Sequence, residues 1–260
     1  MLLSVIKTII NTWCKDLFNE FTKTLRMHMA FISIVLFYMC ALVVTTSLLE
    51  ITDRISLSLY PQIIPLTAIL FFISFFFCHS IYVMVIVRPK NLIGYILHDL
   101  RTNYLTRERL LNGLPIILFM PLFMVTFTSF KTLIPIINPF SWDHSIAKPE
   151  AMIHGGYQAW QLCHSIFVKP FLTSAINFSY NLWLFVMFAV LYWQAFSLFD
   201  SRSRVKFFLS FSLSRIILCT VISILFSSAG PCYYDRIVGC DNTYKPLIEY
   251  LILVKNSYPI

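Results

Sequence analysis

The chain has 260 residues, of which 58% are apolar, 17% aromatic and only 12% charged, and its mean hydropathy is +0.75. Soluble domains have roughly 45–50% apolar and about 25% charged residues, so this composition excludes soluble, disordered, collagen-like and disulfide-scaffold proteins and indicates a membrane protein. The net charge of +8 does not indicate nucleic-acid binding, because most basic residues lie in short connections between apolar runs, where they act as topology signals.

The first 28 residues are predicted to form an amphipathic helix that lies in the membrane interface. Apolar residues between positions 2 and 25 recur at helical spacing, while Lys7, Lys15 and Lys23 fall on the other face. This pattern is typical of interfacial helices, and a helix packed on the ends of the spans would show the same stripe. A cleaved signal peptide is not indicated, because Lys7 interrupts the apolar run and no small-residue cleavage site follows it.

Residues 29–260 are predicted to form an all-α, polytopic membrane helical bundle. A span needs about 20 mostly apolar residues, and five runs meet this length, at about 29–49, 63–87, 114–137, 177–199 and 207–226. A further apolar run at 246–254 is too short to cross and is interpreted as an incomplete sixth span. The ionisable side chains inside the five runs are His79, Lys131 and Arg215.

The basic residues are divided unevenly between the two sides that alternating spans define. Twelve lysines and arginines lie in segments 1–28, 88–113 and 200–206, and six lie on the opposite side. Because basic residues favour the cytoplasm, the amino terminus is predicted to be cytoplasmic and the connection 138–172 exterior. Apolar residues at 92–100 also predict a second interfacial helix on the cytoplasmic side.

The exterior connection contains the first candidate site residues. His144, His154 and His164 are ten residues apart, a spacing that places no two of them on adjacent helical turns, so a metal site is not expected. Histidine is apt for acid–base chemistry near neutrality, and hydrogen bonding within the loop explains these residues equally well. Asp143, His154 and Trp160 are retained as candidates. No cofactor is expected, because phosphate-loop, nucleophile-elbow and zinc-protease motifs are missing.

The fifth predicted span and the turn after it contain the other candidates. A guanidinium about nine positions into a span, at Arg215, usually faces a bundle interior, a polar cavity or a phosphate-bearing ligand, with snorkelling as the alternative. The small residues at 227–231 end the helix and expose backbone N–H groups that can receive an anion, although a plain turn anchored by interfacial tyrosines has the same sequence. The expected lipid-phosphate contacts are Arg215, Ser227, Ser228, Gly230, Tyr233, Tyr234 and Arg236.

One cysteine pair could form a disulfide. Cys232 and Cys240 share an exterior segment, and they would close a short loop if the compartment is oxidising. Free thiols are the alternative, because the chain has seven scattered cysteines without a CxxC pair.

Four ordered segments give the chain a family resemblance. They are Ser141-Trp142-Asp143, His154-Gly155-Gly156 with Trp160, Tyr180-Asn181-Leu182-Trp183, and Ser227-Ser228-Ala229-Gly230-Pro231-Cys232-Tyr233-Tyr234. Together they resemble the landmarks of bacterial membrane proteins of the type 2 phosphatidic acid phosphatase superfamily, in the branch related to inositol phosphorylceramide synthases. The resemblance covers roughly residues 110–245, and the Ser-Ser-Ala-Gly-Pro segment is its most specific part.

The resemblance implies a helical bundle in the bacterial cell membrane that dephosphorylates lipid phosphates or transfers phosphate-bearing head groups without a metal. The implied mechanism uses a nucleophilic histidine oriented by an aspartate, and a second histidine that protonates the leaving group. The expected partners are membrane lipids, including a lipid phosphate.

The sequence departs from the family pattern at the catalytic motifs. Up to Ile260 the region after the Gly-Pro turn contains no Pro-Ser-x-His-like motif and no later His and Asp, and Arg88-Pro89 lacks the preceding lysine of a Lys-x6-Arg-Pro motif. No residue is therefore assigned as nucleophile or leaving-group acid, and the chain as given is expected to be catalytically incomplete. Two alternatives stay open, a non-catalytic protein that binds phospholipid head groups and a subunit completed by a second polypeptide.

Overall fold

The computed structural model describes residues 2–51, 59–167, 169–198, 201–239 and 244–257. Within these ranges the regular structure is all helical, without strands. Helices satisfy their own backbone polar groups, which a chain in lipid requires. The described helices that are long and apolar enough to cross a membrane are Met29–Leu48, Ile63–Val87, Arg107–Ile137, Pro170–Ala195 and Arg202–Leu225. The chain is therefore an integral membrane protein of the helical class.

The first part of the chain contains four helices. Asn91 caps the fourth by accepting a hydrogen bond from Gly94 N at 3.0 Å, because an Asn side chain can satisfy a free N–H at a helix start. The helices are α1 (Leu2–Met27), α2 (Met29–Leu48), α3 (Leu59–Tyr82, extended by a π-helical turn at Val83–Val87) and α4 (Leu92–Asp99, extended by a π-helical turn at Leu100–Tyr104).

The second part of the chain contains helices whose ends differ from the apolar runs. One begins at Arg107 instead of 114, because charged residues continue the helix before its apolar stretch. Another occupies Pro170–Ala195 instead of 177–199, and it begins at a proline, which favours the first position of a helix. The predicted connection 138–172 contains two helices. The helices are α5 (Arg107–Ile137), α6 (Asp143–Ile153), α7 (Ala159–Phe167), α8 (Pro170–Ala195), α9 (Ser201–Ile216, extended through Ile217–Ile222 and Ser223–Leu225), α10 (Tyr234–Val238) and α11 (Lys245–Ser257).

The chain forms two compact units, of which unit 1 comprises residues 1–129 and 187–215. Aromatic contacts join its helices: the rings of Phe31 in α2 and Phe208 in α9 are 5.7 Å apart. A polar contact joins α3 to α8, where the Tyr192 hydroxyl donates to Ile64 O at 2.9 Å. Unit 1 therefore has a core of large apolar side chains, in which a buried hydroxyl such as that of Tyr192 is hydrogen-bonded to the backbone.

Unit 2 comprises residues 130–186 and 216–260. Asn138 Nδ2, just after α5, donates to Ile224 O in the last turn of α9 at 2.7 Å. Ala147, Tyr234 and Tyr244 form a small buried core, and Trp160 packs against it. This core holds α6, α7, α10 and the start of α11 together, so the turn that follows α9 is built into packed structure.

Candidate functional site

The small-residue turn after α9 holds an anion that the chain itself supplies. The carboxylate of Asp143, the first residue of α6, accepts hydrogen bonds from Ser228 Oγ at 2.7 Å and from Ala229 N and Gly230 N at 3.0 Å each. Gly230 has a φ of 78°, a left-handed conformation that glycine adopts without a steric penalty. Two consecutive N–H groups and a hydroxyl therefore converge on one carboxylate.

A backbone hydrogen bond and a ring contact between the residues that precede Asp143 and Ser228 stabilise this arrangement further. Trp142 N donates to Ser227 O at 3.2 Å, and the rings of Trp142 and Phe226 are 4.8 Å apart. We call residues 142–143 and 227–230 the Asp143 clamp. Asp143 is only 4% exposed, so its charge depends on these donors, which are strong because the acceptor is ionised.

A satisfied polar network lies beside the buried core of unit 2. The Tyr244 hydroxyl lies 3.3 Å from Gln158 Oε1 and 3.5 Å from Glu150 Oε2, and its single proton is shared between these two acceptors. Burial, followed by the negative charge of Glu150, raises the pKa of Tyr244 to about 12, so the phenol stays a donor at neutral pH. Glu150 Oε1 also accepts from Ala159 N at 3.1 Å. This network joins α6, α7 and α11 and leaves Glu150 occupied.

The three histidines of unit 2 have different surroundings. His154 Nδ1 is 2.7 Å from Glu150 O, which makes Nδ1 the donor and leaves Nε2 as the basic nitrogen. The His164 ring packs 5.6 Å from Trp160 and 5.0 Å from Tyr250, and His144 is exposed. Across the described ranges, no group of three or more His, Cys, Asp and Glu residues could hold a metal ion.

Arg215 lies in unit 1, whereas the turn residues lie in unit 2. Its guanidinium carbon is 5.2 Å from the ring centroid of Phe211 and 5.4 Å from that of Phe127. Its Nη2 donates to the sulfur of Met187 at 2.9 Å. Cation–π contacts and a polarisable sulfur stabilise a guanidinium among apolar side chains, so these contacts account for Arg215 within its span.

A histidine–aspartate pair in unit 1 was not predicted from the sequence. His79 Nε2 is 2.9 Å from Asp99 Oδ2, and the two side chains are 7% and 17% exposed. The Tyr104 ring packs on His79 with centroids 5.1 Å apart, and burial, followed by the charge of Asp99, raises the pKa of Tyr104. An ionisable residue inside an apolar run was the available signal, since such residues are buried with a partner.

An aromatic cavity of about 450 Å³ also lies in unit 1. Arg109 is at its polar edge, where Nη1 donates to Phe196 O at 3.0 Å and the guanidinium lies 5.6 Å from the Tyr104 ring centroid. Its apolar walls include Phe71, Phe72, Phe75, Trp193 and Phe196.

The candidate residues are thus only partly brought together. Asp143, Ser228 and Gly230 are in direct contact, and Ser227 joins them through its carbonyl. Trp160 and Tyr234 share the neighbouring core, while Tyr233 and Arg236 are exposed. The predicted pairing of Cys232 involves Cys240, which lies outside the described residues. Comparison of the sequence with protein-family models gives no match, and neither curated proteins nor solved structures match the chain.

Proposed function

We propose that the chain binds the phosphate-bearing head group of a membrane lipid and belongs with the lipid-phosphate phosphatases and head-group transferases that it resembles. One observation carries this proposal: segments 141–143, 154–160 and 227–234 meet in unit 2. Asp143 binds Ser228 and Gly230, and Trp160 packs against the core that contains Tyr234. Segments that matched a family by chance would have no reason to share contacts across 85 residues of sequence.

The proposal assigns the clamp a positioning role. Its donors are already occupied by Asp143, so the head group is bound by side chains that the clamp holds in place. Tyr233 and Arg236 follow the turn directly and are exposed. A guanidinium binds phosphate oxygens through two parallel N–H groups, and we therefore assign the phosphate contact to Arg236.

The membrane placement is part of the proposal. The uneven distribution of basic residues supports a cytoplasmic amino terminus, with α6, α7 and the clamp outside the bacterial cell membrane. The apolar stripe of residues 2–25 supports α1 as an interfacial helix.

Head-group binding without turnover is the second candidate function. A phosphoryl transfer that uses a nucleophilic and an acidic histidine needs both at one phosphorus atom. In unit 2, His154 hydrogen-bonds to its own helix, whereas His164 packs on Trp160 and Tyr250. Because the two histidines have separate surroundings, the structure favours a protein that binds head groups without turnover, or one whose catalytic histidines come from a further polypeptide.

Lipid binding and phosphate release, measured on the same sample, test both candidates. The protein would be placed in nanodiscs that contain phosphatidic acid, phosphatidylinositol or diacylglycerol, and bound lipid would be counted by native mass spectrometry. We expect a preference for the phosphate-bearing lipids that falls about tenfold in Arg236→Gln. Lys255→Gln, an exposed position of unit 2, should keep the preference.

The outcomes separate the two functions. Release of inorganic phosphate would identify an active enzyme, and binding without release would identify a head-group-binding protein. Equal binding of diacylglycerol and phosphatidic acid would contradict the proposal.

A further inference from the structure

A polar cavity of about 630 Å³ lies wholly within unit 1. It is open on one side and is lined by residues 20–27 of α1, the first turns of α5, Leu198 and the start of α9. Its volume is in the range of about 300–1,000 Å³ that is usual for ligand pockets. Among the lining residues are three cations, Lys23, Arg107 and Arg204, and two carboxylates, Glu20 and Glu108.

Arg204 is the unusual member of this lining. It is only 2% exposed, and its Nη1 donates to Ser197 O at 2.7 Å. Its Nε is buried without a hydrogen-bond partner among the described residues. No carboxylate oxygen in the described ranges forms an ion pair with it, although the charge of Glu108 acts on it. A buried guanidinium donor without an acceptor is expensive unless a ligand supplies one.

The other charges of the cavity do not neutralise this donor. Arg107 Nε is 2.9 Å from Glu20 Oε2, so these two residues form a pair. Lys23 is exposed, and its ammonium adds a second cation to that of Arg204, against the one carboxylate of Glu108. His28, fully buried next to this region, has a pKa lowered to about 4 by burial and by the charge of Arg204. His28 is therefore neutral at pH 7, and the cavity keeps an excess of positive charge.

The geometry points to a phosphate group as the ligand of this cavity. A guanidinium presents donors in a planar fork that matches phosphate oxygens, and a lysine adds a mobile point charge. The cavity wall on one side is α1, the helix whose apolar stripe predicts a position at the level of the lipid head groups. We propose that Arg204 and Lys23 bind the phosphate of a lipid head group. This site uses residues of unit 1 and is independent of the function proposed for unit 2.

Lipid titrations of the full chain in detergent test this site. Phosphatidic acid, phosphatidylglycerol, diacylglycerol and inorganic phosphate would be added separately, with bound ligand counted by native mass spectrometry. We expect Arg204→Gln to weaken phospholipid binding about tenfold, the effect of losing one charged hydrogen bond. Because Arg204 also supports Ser197 O, Lys23→Gln is the second variant, with a loss of several-fold. The control is Lys15→Gln, an exposed position of α1 that does not line the cavity.

Each outcome decides the proposal. Phospholipid binding that depends on Arg204 and Lys23, and that inorganic phosphate does not displace, supports a lipid ligand. Displacement by inorganic phosphate, with the same dependence, supports the phosphate site and assigns it to a soluble phosphate. Binding that is the same in Lys23→Gln and Lys15→Gln would overturn the site. The titrations would be repeated in an Arg236→Gln background, where the site proposed for unit 2 is weakened, and the dependence on Arg204 and Lys23 should persist there, which keeps this result separate from that for unit 2.

Discussion

A carboxylate that is almost fully buried is stable only where hydrogen bonds replace its hydration. Asp143 has three such donors, and all of them come from residues 228–230. Its removal would leave two backbone N–H groups and one hydroxyl of partly exposed residues without their acceptor in the protein. The clamp is therefore a place in unit 2 where one side chain joins two distant segments.

We expect Asp143→Ala to lower the free energy of unfolding by about 1.5–3 kcal/mol, the usual contribution of hydrogen bonds to a charged group. Thermal unfolding in detergent would measure the change. His144→Ala removes the exposed side chain next to Asp143 and should unfold like the original protein. Identical melting of the two variants would mean that the clamp contributes nothing to stability. Added formate should partly restore Asp143→Ala, because a small carboxylate can take the vacant position.

His28 makes stability depend on pH. Burial, followed by the charge of Arg204, lowers its pKa from 6.5 to about 4, so below pH 6.5 the unfolded chain binds a proton that the folded chain does not. Its contribution is present above pH 6.5 and is lost as the pH falls to about 4, by about 3 kcal/mol in total. His28→Leu should flatten the dependence of the melting temperature on pH within this window. An unchanged slope would show that His28 ionises freely in the folded protein.

At the scale of elements, a close approach between a glycine of α5 and an aromatic ring brings two segments of unit 1 together. A Cβ added at Gly113 of α5 would lie 2.7 Å from Cε1 of the Phe196 ring, beyond the end of α8. Small residues allow such approaches between helices in membranes. Gly113 is buried, whereas Phe196 is half-buried and lines the aromatic cavity, so part of the clash can be relieved by movement of the ring.

We expect Gly113→Ala to destabilise unit 1 by about 1–3 kcal/mol, the usual cost of overpacking. Phe196→Leu removes the ring and should cancel most of this effect in the double variant, although it has a cost of its own. Chemical unfolding of the original protein, the two single variants and the double variant gives the interaction energy between the two positions. Additive effects of the two substitutions would show that the ring and Gly113 do not press on each other.

The ends of the helices show what hydropathy can predict. The apolar centres of the long helices were predictable, because about 20 apolar residues in a row have few alternatives. The ends were less predictable, since α5 begins at Arg107 with charged residues that the apolar count omits, and α8 begins at Pro170, a residue type that favours the first position of a helix. The helices α6 and α7 were not predicted either, because their sequences are too polar and too short for that signal.

At the scale of the molecule, the site depends on contacts between distant residues. The anion-receiving character of the turn could be predicted from its small residues, but the identity of its anion could not. Asp143 and Ser228 are 85 positions apart, and neither pattern nor spacing relates them. The pairing of His79 with Asp99 was hidden for the same reason.

The membrane orientation can be tested by labelling cysteines in intact cells. We expect an impermeant maleimide to label a protein with Cys163, which is exposed, as its single cysteine. Lys15→Cys in a cysteine-free chain should react only after the membrane is permeabilised if α1 lies on the cytoplasmic side, as we propose from the uneven distribution of basic residues. The reverse pattern of labelling would invert the topology and move the clamp to the cytoplasm.

The clamp also constrains how the protein is made. A ribosome adds about 5–20 residues per second, so the 85 residues between Asp143 and Ser228 take roughly 4–17 s to synthesise. Throughout this interval the carboxylate of Asp143 lacks its donors and must remain hydrated. The first turn of α6 therefore reaches its final place only after α9 has been synthesised. Unit 2 is therefore completed only after α9 has been synthesised, and a nascent chain that pauses between these two segments still has Asp143 in water.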